Sequence, residues 1–231
     1  MMEFSIRYIT MRRSWSGFKR WKGEKTWQGV MLRFLLLSLS IFWTTHLFAK
    51  ERDRDMSIAL VAVGDVDRKV IEVLKGDLDK TFNRQALIGK PMPKPDYAFN
   101  KKRNQYLSTA ILNAIMGQTD AAAYDKILGI VDNDLYVPRL NFVFGEAGSK
   151  AAVISLTRLR QEFYHLPENR PLFHQRIFTE AVHELGHTYG LRHCENPRCV
   201  MFFSNSLMDT DKKGSAFCQR CKSKLTSQPP K

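Results

Sequence analysis

The sequence predicts an α/β domain with a mixed, mostly parallel twisted sheet, followed by a small cysteine-rich C-terminal subdomain. Near its start, an apolar run closed by a glycine is followed by helical periodicity and a second apolar run, the order of a parallel βαβ unit. Later, two apolar runs flank a glycine-containing turn, which makes the predicted sheet mixed. All four cysteines lie between Cys194 and Cys221. The 231 residues, 44% of them hydrophobic, are sufficient for a buried core.

A strand, a helix and a second strand are predicted between residues 57 and 89. "SIALVAVGDV" is rich in β-branched residues and closes on a glycine, which is typical of a buried strand. "DRKVIEVLKGDLDKTF" predicts a helix through the spacing of Val70, Val73, Leu74 and Leu78. "QALIG" predicts the second strand. Three prolines between Pro91 and Pro95 then predict a loop.

One more helix and three more strands are predicted between residues 100 and 160. "NKKRNQYLSTAILNAIM" predicts a helix whose apolar face is Tyr106, Ala110, Ile111, Ala114 and Ile115. "KILGIVDNDLYVP" predicts a strand that ends in a turn at Asp132 to Asp134. "LNFVFGEAGSKAAVISLTRLR" predicts two strands joined by a turn at Gly145 to Lys150.

Residues 1–49 predict an N-terminal extension with an export signal. Eight basic residues precede or enter the apolar run from Phe34 to Ala49, which is short for a membrane span of about 20 residues and ends on a small residue. The segment from Met31 to Ala49 is a compact signal by itself, which makes Met31 an alternative start of the protein. We therefore expect an exported protein, periplasmic or secreted. A membrane anchor, if the apolar segment is uncleaved, and a cytoplasmic location stay open as alternatives.

The basic charge does not indicate a nucleic-acid partner. Residues 1–49 hold eight basic and two acidic residues, so the formal net charge of +13 falls to +7 for the remainder. Clusters such as residues 101–103 are typical of solvated surfaces, and no recognition motif accompanies them. We expect no nucleic-acid partner, and a monomer.

"HELGHTYGLRHC", residues 183–194, holds half of the chain's six histidines. Apolar spacing and Pro171 predict a helix from Pro171 through Tyr189, on which His183 and His187 share one face and can bind one Zn²⁺. Glu184 would reach a metal-bound water without being a ligand. Gly190 permits a sharp turn that would place His193 as the third ligand. Three protein ligands leave a position open, as in a catalytic zinc site.

The extended pattern His-Glu-x-x-His-x-x-Gly-x-x-His is that of the metzincin clan of zinc peptidases. With "HELGHTYGLRHCENPRCVM" and "CQRC", the chain resembles the archaemetzincin family over residues 183–221, and the resemblance extends over most of residues 57–225. It implies a metzincin-like catalytic subdomain at 50–193 and a C-terminal subdomain at 194–231. The predicted export signal departs from the family, whose members generally look cytosolic.

The cysteines form two close pairs, Cys194-x4-Cys199 and Cys218-x2-Cys221. By spacing, they suit either a structural zinc site with four thiolates or two disulfides, which an oxidising compartment would favour. The resemblance implies a second, structural zinc on these cysteines, in a small zinc-knotted subdomain. It also implies that Met201, with Met208 as the competing candidate, lies beneath the catalytic zinc as an apolar floor.

The function that the motif and the resemblance imply is that of a zinc-dependent metallopeptidase, in which Glu184 is the general base for a zinc-bound water. The resemblance implies that the substrate is a peptide or protein, which an edge strand at residues 141–147 binds as an added strand. A zinc amidase acting on non-protein amides and a zinc-retaining binding module are the alternatives. Glu184 disfavours the binding module, since a protein without catalysis could lose that residue freely.

Overall fold

A computed structural model describes residues 57–118 and 120–226. The predicted signal and the proposed start at Met31 lie outside these residues. The strands of the described part are β1 (Ile58–Val63), β2 (Ala86–Ile88), β3 (Phe99–Asn100), β4 (Gln105–Leu107), β5 (Lys126–Val131), β6 (Leu135–Tyr136), β7 (Gly145–Ala147) and β8 (Ala151–Ser155). The α-helices are α1 (Arg68–Phe82), α2 (Ser108–Met116), α3 (Arg170–Thr188), α4 (Leu207–Lys212) and α5 (Gln219–Thr226). Among these helices, none combines the length and the apolar character required to cross a membrane.

The main sheet has five strands in the order β2-β1-β5-β8-β7. Its strands pair in parallel except for β7, which pairs antiparallel with β8 at one edge. The predicted mixed, mostly parallel sheet is therefore confirmed. The antiparallel edge follows from the short turn of residues 148–150, because two strands joined by three residues can pair only in opposite directions.

Helices cover both faces of the main sheet. In the central strands β1, β5 and β8, even-numbered residues such as Leu60 and Ile130 pack against α1 and α3. Odd-numbered residues such as Val61 and Val153 pack against α2. Both side-chain sets are apolar because successive residues of a strand point to opposite faces and each face is buried.

The active-site helix α3 agrees closely with its predicted range. The Asn169 side chain accepts a hydrogen bond from Leu172 N at 3.1 Å, and Pro171 lies in the first turn, where its missing N–H is not needed. The helix buries Ile177, Ala181, Val182 and Leu185. Cys194, Cys199, Met201 and Cys221 belong to the same buried cluster, so the cysteine-rich segment packs directly on this core.

Two of the predicted elements are wrong in extent. The second helix begins at Ser108, and Gln105–Leu107 forms β4 because it pairs with β6. The buried apolar residues of this helix, α2, are Ile111, Leu112 and Ile115. Tyr106, which was predicted on its apolar face, instead packs on Phe99 with ring centroids 4.9 Å apart. The strand predicted from Leu140 begins at Gly145, and the preceding residues form a rim that pairs at a single bridge between Val143 and Leu135.

Candidate metal centre

His183 and His187 lie one turn apart on α3, and their rings meet at the surface of a cleft. The ring centroids are 4.7 Å apart and the ring planes are nearly perpendicular, at 88°. The two Nε2 atoms are 3.1 Å apart. Two ligands of a tetrahedral zinc ion bound at about 2.0 to 2.1 Å lie about 3.3 Å from each other, so this separation suits one shared ion.

Gly190 turns the chain back toward the helix, as predicted. Its φ of 75° lies in the left-handed region, where glycine has no steric penalty. Leu191 N donates to Gly186 O at 3.0 Å and closes this turn. The ring of His193 then lies 5.4 Å from that of His183 and 4.8 Å from that of His187. One ligand nitrogen from each of the three histidines lies within 4.8 Å of the others.

The hydrogen bonds of the histidine rings fit a metal site. His183 Nδ1 is 2.7 Å from Val200 O, and His187 Nδ1 is 2.7 Å from Leu191 O. Because a carbonyl oxygen can only accept, both Nδ1 atoms carry the proton, and both Nε2 atoms present lone pairs. Two lone pairs facing each other repel unless a cation lies between them. The donor set therefore fits Zn²⁺.

The surroundings of the rings keep the histidines neutral. Burial lowers the pKa of His183 well below its usual range, and the positive charge of Lys213 acts in the same direction. Burial also lowers the pKa of His187 and His193. Neutral imidazole is the form that binds a metal ion.

Glu184 lies beside the histidines without a fixed partner. It is buried, and among the described residues no hydrogen bond to its carboxylate forms. Burial raises its pKa well above the usual range, the Glu180 charge raises it further, and Lys213 opposes both. The carboxyl group lies against Gly145 of β7, where an added Cβ would be 2.8 Å from Glu184 Oε1. Helix α3 and the edge strand thus enclose the carboxylate between them.

The site opens into a cleft of about 400 Å³. One side is the rim and edge strand of residues 140–147, and the other is formed by residues 203–205. Phe142 and Phe144 pack edge to face, with ring centroids 5.2 Å apart. Phe203 lies 4.8 Å from the ring of His193 and is 47% exposed. The cleft therefore combines polar groups of the histidine site with apolar walls.

The four cysteines form a second cluster close to the first. They are free thiols, and their Sγ atoms all lie within 4.8 Å of one another. Cys194 Sγ and Cys218 Sγ are 3.8 Å apart, which is about the edge of a tetrahedron with zinc–sulfur distances of about 2.3 Å. Burial alone would raise the pKa of Cys194. Hydrogen bonds from the Asn196 backbone and Arg220 outweigh this effect and lower the pKa to about 7.

Met201, and not Met208, lies beneath the histidine site. Met201 is fully buried, whereas Met208 is 62% exposed. A Cβ added to Gly186, which lies between the two histidines of α3, would be 2.5 Å from Met201 Sδ. Cys194 N donates to Met201 O at 2.8 Å, so the same segment contacts both clusters.

The geometry agrees with the sequence comparison, in which residues 63–227 match the sequence model of peptidase family M54. The chain belongs to this family. It is therefore a zinc metallopeptidase, a hydrolase, and the predicted resemblance to the archaemetzincins is confirmed.

Sequence relatives support the assignment to family M54. The archaemetzincin of Methanocaldococcus jannaschii is 44% identical over 172 residues, which cover 74% of this chain and 93% of that one. The archaemetzincin of Pyrococcus furiosus is 41% identical over 180 residues, which again cover 74% of this chain and 93% of that one.

Solved structures show the same fold. The crystal structure of the Methanopyrus kandleri archaemetzincin superposes with a TM-score of 0.66 at 37% identity, covering 74% of this chain and 93% of that one. The crystal structure of the Archaeoglobus fulgidus archaemetzincin superposes with a TM-score of 0.64 at 37% identity, covering 73% of this chain and 99% of that one. The metzincin-like fold class is therefore confirmed for this M54 chain.

All eight predicted site residues lie in the two clusters or beside them: His183, Glu184, His187, His193, Cys194, Cys199, Cys218 and Cys221. Four residues at or beside the site were not predicted from the sequence: Glu180, Lys213, Gly145 and Phe203. Glu180 precedes Glu184 by four residues, a signal that helical spacing could have supplied. No local pattern marks the other three, because they reach the site through the tertiary fold.

Proposed function

We propose that this M54 peptidase hydrolyses peptide bonds with one Zn²⁺ held by His183, His187 and His193 and with Glu184 as the general base. The observation that carries the proposal is the convergence of three neutral imidazoles beside a buried carboxylate that has no fixed partner. When bound there, Zn²⁺ supplies Lewis-acid chemistry, which acidifies water and polarises a carbonyl group.

Glu184 would manage the proton during hydrolysis. Its carboxylate takes a proton from the attacking water and delivers it to the nitrogen of the leaving amine. Burial raises its pKa, which makes the carboxylate a better proton acceptor. The absence of a fixed hydrogen-bond partner within the described residues leaves its oxygens available for water.

The edge strand β7 would bind the substrate as an additional strand. Within the described sheet β7 pairs with β8 on one side, and its residues Gly145 and Ala147 line the cleft. An extended peptide can pair with the backbone of such an edge. The rim before β7 continues along the cleft, so we propose residues 141–147 as the substrate surface, of which only the last three form a strand.

The four cysteines would hold a second, structural Zn²⁺. Their thiol separations suit tetrahedral coordination, and Cys194 directly follows the ligand His193. A bound ion would restrain the turn that carries His193 and would contribute to folding. We further propose export of the protein, periplasmic or secreted, on the basis of the predicted signal in residues 1–49.

Glu184→Gln tests the proposed mechanism. The amide keeps the size of the side chain but cannot accept a proton, so we expect zinc content within error of wild type and kcat reduced by a factor of about 10² or more. Elemental analysis gives the zinc content, and a fluorogenic peptide library gives the activity. Turnover retained in the variant would exclude Glu184 as the base, and a library without any cleaved peptide would contradict peptide hydrolysis.

A further inference from the structure

Lys213 is the largest of the fully buried side chains in the described part of the chain. It directly follows α4, and its side chain lies behind the histidine cluster on α3. Lysine is almost never fully buried unless its charge is paired. A buried ammonium beside a metal-binding histidine therefore requires a physical reason.

The Lys213 ammonium lies between Glu180 and His183. Its Nζ is 3.0 Å from Glu180 Oε1 and 3.3 Å from His183 Nδ1. Thr210 Oγ1 donates to the same Glu180 oxygen at 3.0 Å. Glu180 and Thr210 are each 2% exposed, so protein contacts, rather than solvent, determine the geometry of the group.

The ammonium contacts the Nδ1 edge of the His183 ring. Val200 O accepts the Nδ1 proton at 2.7 Å, so the N–H groups of Lys213 are directed to Glu180 and the ammonium packs beside the ring. Rotation of the imidazole would break the bond to Val200, and the Lys213 side chain fills the space beside this edge of the ring. The Nε2 atom is thereby held toward the other two histidines.

Stability alone does not explain this pair. The desolvation of two buried charges offsets much of their attraction, so apolar or neutral replacements are often equally stable. A second pair already joins the same two segments: Arg176 Nε and Nη2 bind Asp211 at 2.6 Å, and Arg176 Nη1 donates to Leu159 O at 3.0 Å. That pair lies two helical turns before His183 and binds residues outside the histidine cluster.

We propose that Lys213 is a positioning residue for the hydrolysis, which acts by holding Glu180 and by bracing the Nδ1 edge of His183 so that Nε2 stays oriented for zinc. This inference rests on the proposed zinc site at the three histidines. Zinc affinity is the primary readout, because it reports ligand orientation without requiring turnover.

The test compares two double variants of the full chain. Lys213→Met with Glu180→Gln removes both charges together, keeps the side-chain lengths and leaves an oxygen for Thr210. The matched control, Arg176→Met with Asp211→Asn, removes the other pair between the same segments. Zinc affinity is measured by chelator competition, and a His187→Ala variant identifies the zinc bound at the cysteines. Visible absorption of Co²⁺-loaded protein, kcat, KM and Tm complete the comparison.

We expect the Lys213 and Glu180 double variant to fold and to lose about tenfold or more in zinc affinity at the histidines. Its Co²⁺ spectrum should change, and kcat should fall while KM stays within about twofold, since the positioned group acts on the reaction and not on substrate binding. The control should keep the zinc affinity and the Co²⁺ spectrum of wild type.

Three results would overturn the inference: wild-type zinc affinity in the Lys213 and Glu180 double variant, equal losses in both double variants, or unchanged affinity in Thr210→Val. The last variant removes one donor to Glu180, keeps all charges and remains informative if the double variant does not fold. We expect it to lower zinc affinity by a smaller factor. A wild-type protein without histidine-dependent zinc binding would instead contradict the proposed function itself.

Discussion

Gly145 lies directly against Glu184: an added Cβ on Gly145 would be 2.6 Å from Glu184 Cγ and 2.8 Å from Cδ. The first residue of the edge strand thus determines the space available to the proposed general base. Glycine is needed there because the backbone of β7 approaches the side chain of α3 more closely than a methyl group allows.

Gly145→Ala should therefore impair catalysis. The methyl group displaces the Glu184 carboxyl, and a displacement of about 1 Å in a catalytic group can reduce the rate by a factor of about 10². We expect kcat to fall while zinc content is retained, as measured by steady-state kinetics and elemental analysis. Gly148→Ala is the matched control in the same hairpin, where the nearest atom to an added Cβ is Ala151 O at 3.6 Å. Equal kinetics for the two variants would contradict the prediction.

Gly186→Ala should destabilise the protein. The added Cβ would be 2.5 Å from Met201 Sδ, and overpacking of this kind costs about 1 to 3 kcal/mol. Denaturant titration measures the free energy of unfolding of each variant. The exposed Gly76 of α1 is the control, because an added Cβ there meets nothing within 4 Å. Gly76→Ala should increase stability by about 0.5 to 1 kcal/mol. A Gly186→Ala variant that is more stable than wild type would contradict the prediction, because it would show that the Met201 side chain moves away from the new methyl group without cost.

Cys218→Ser should lower stability and catalysis together. Loss of one thiolate weakens the proposed structural zinc, which at about 10 kcal/mol in small zinc peptides is a large part of the folding free energy of such a segment. The turn that carries His193 would then be less restrained. Calorimetry, zinc per chain and kcat/KM give the three readouts. A variant with the zinc content, Tm and activity of wild type would argue against a structural zinc at these cysteines.

Phe203→Ala should narrow the range of substrates. Phe203 lines the cleft beside His193, so its ring provides apolar surface for a substrate side chain. We expect kcat/KM to fall about tenfold for peptides with large apolar residues at the cleavage site and to change little for peptides with alanine there. A peptide library profiled by mass spectrometry gives both values. Phe163→Ala, an exposed ring that packs on Tyr164, is the control. A uniform loss across the library would exclude a role of Phe203 in specificity.

Local rules predicted the helix and ligands of the histidine site. Apolar spacing and Pro171 predicted α3 to within one residue at each end, because these signals act within a few residues of chain. Gly190 predicted a turn for the same reason, and the turn has the expected positive φ. The pattern of histidines then follows from one helical turn and one glycine.

Pairing between distant segments explains the two wrong boundaries. Gln105–Leu107 has apolar spacing that suits a helix, but it forms a strand because Tyr106 N donates to Asp134 O at 2.9 Å. Residues 141–144 look like a strand, but Arg103 Nη2 donates to the carbonyl oxygens of Leu140 and Asn141 and holds this segment as a rim. Periodicity cannot report such bonds, since their partners are about 30 to 40 residues away.

The histidine motif, the cysteine pairs, helix α3 and the family resemblance depend on residue type and short spacing, so the chain alone predicts them. Packing of the chain determines what surrounds the two clusters. It placed Gly145 against Glu184 and Lys213 behind His183, and it selected Met201 over Met208. The reason is physical: ligands close in sequence are brought together by one helix and one turn, whereas the groups that confine and orient them come from segments that meet only when the core packs.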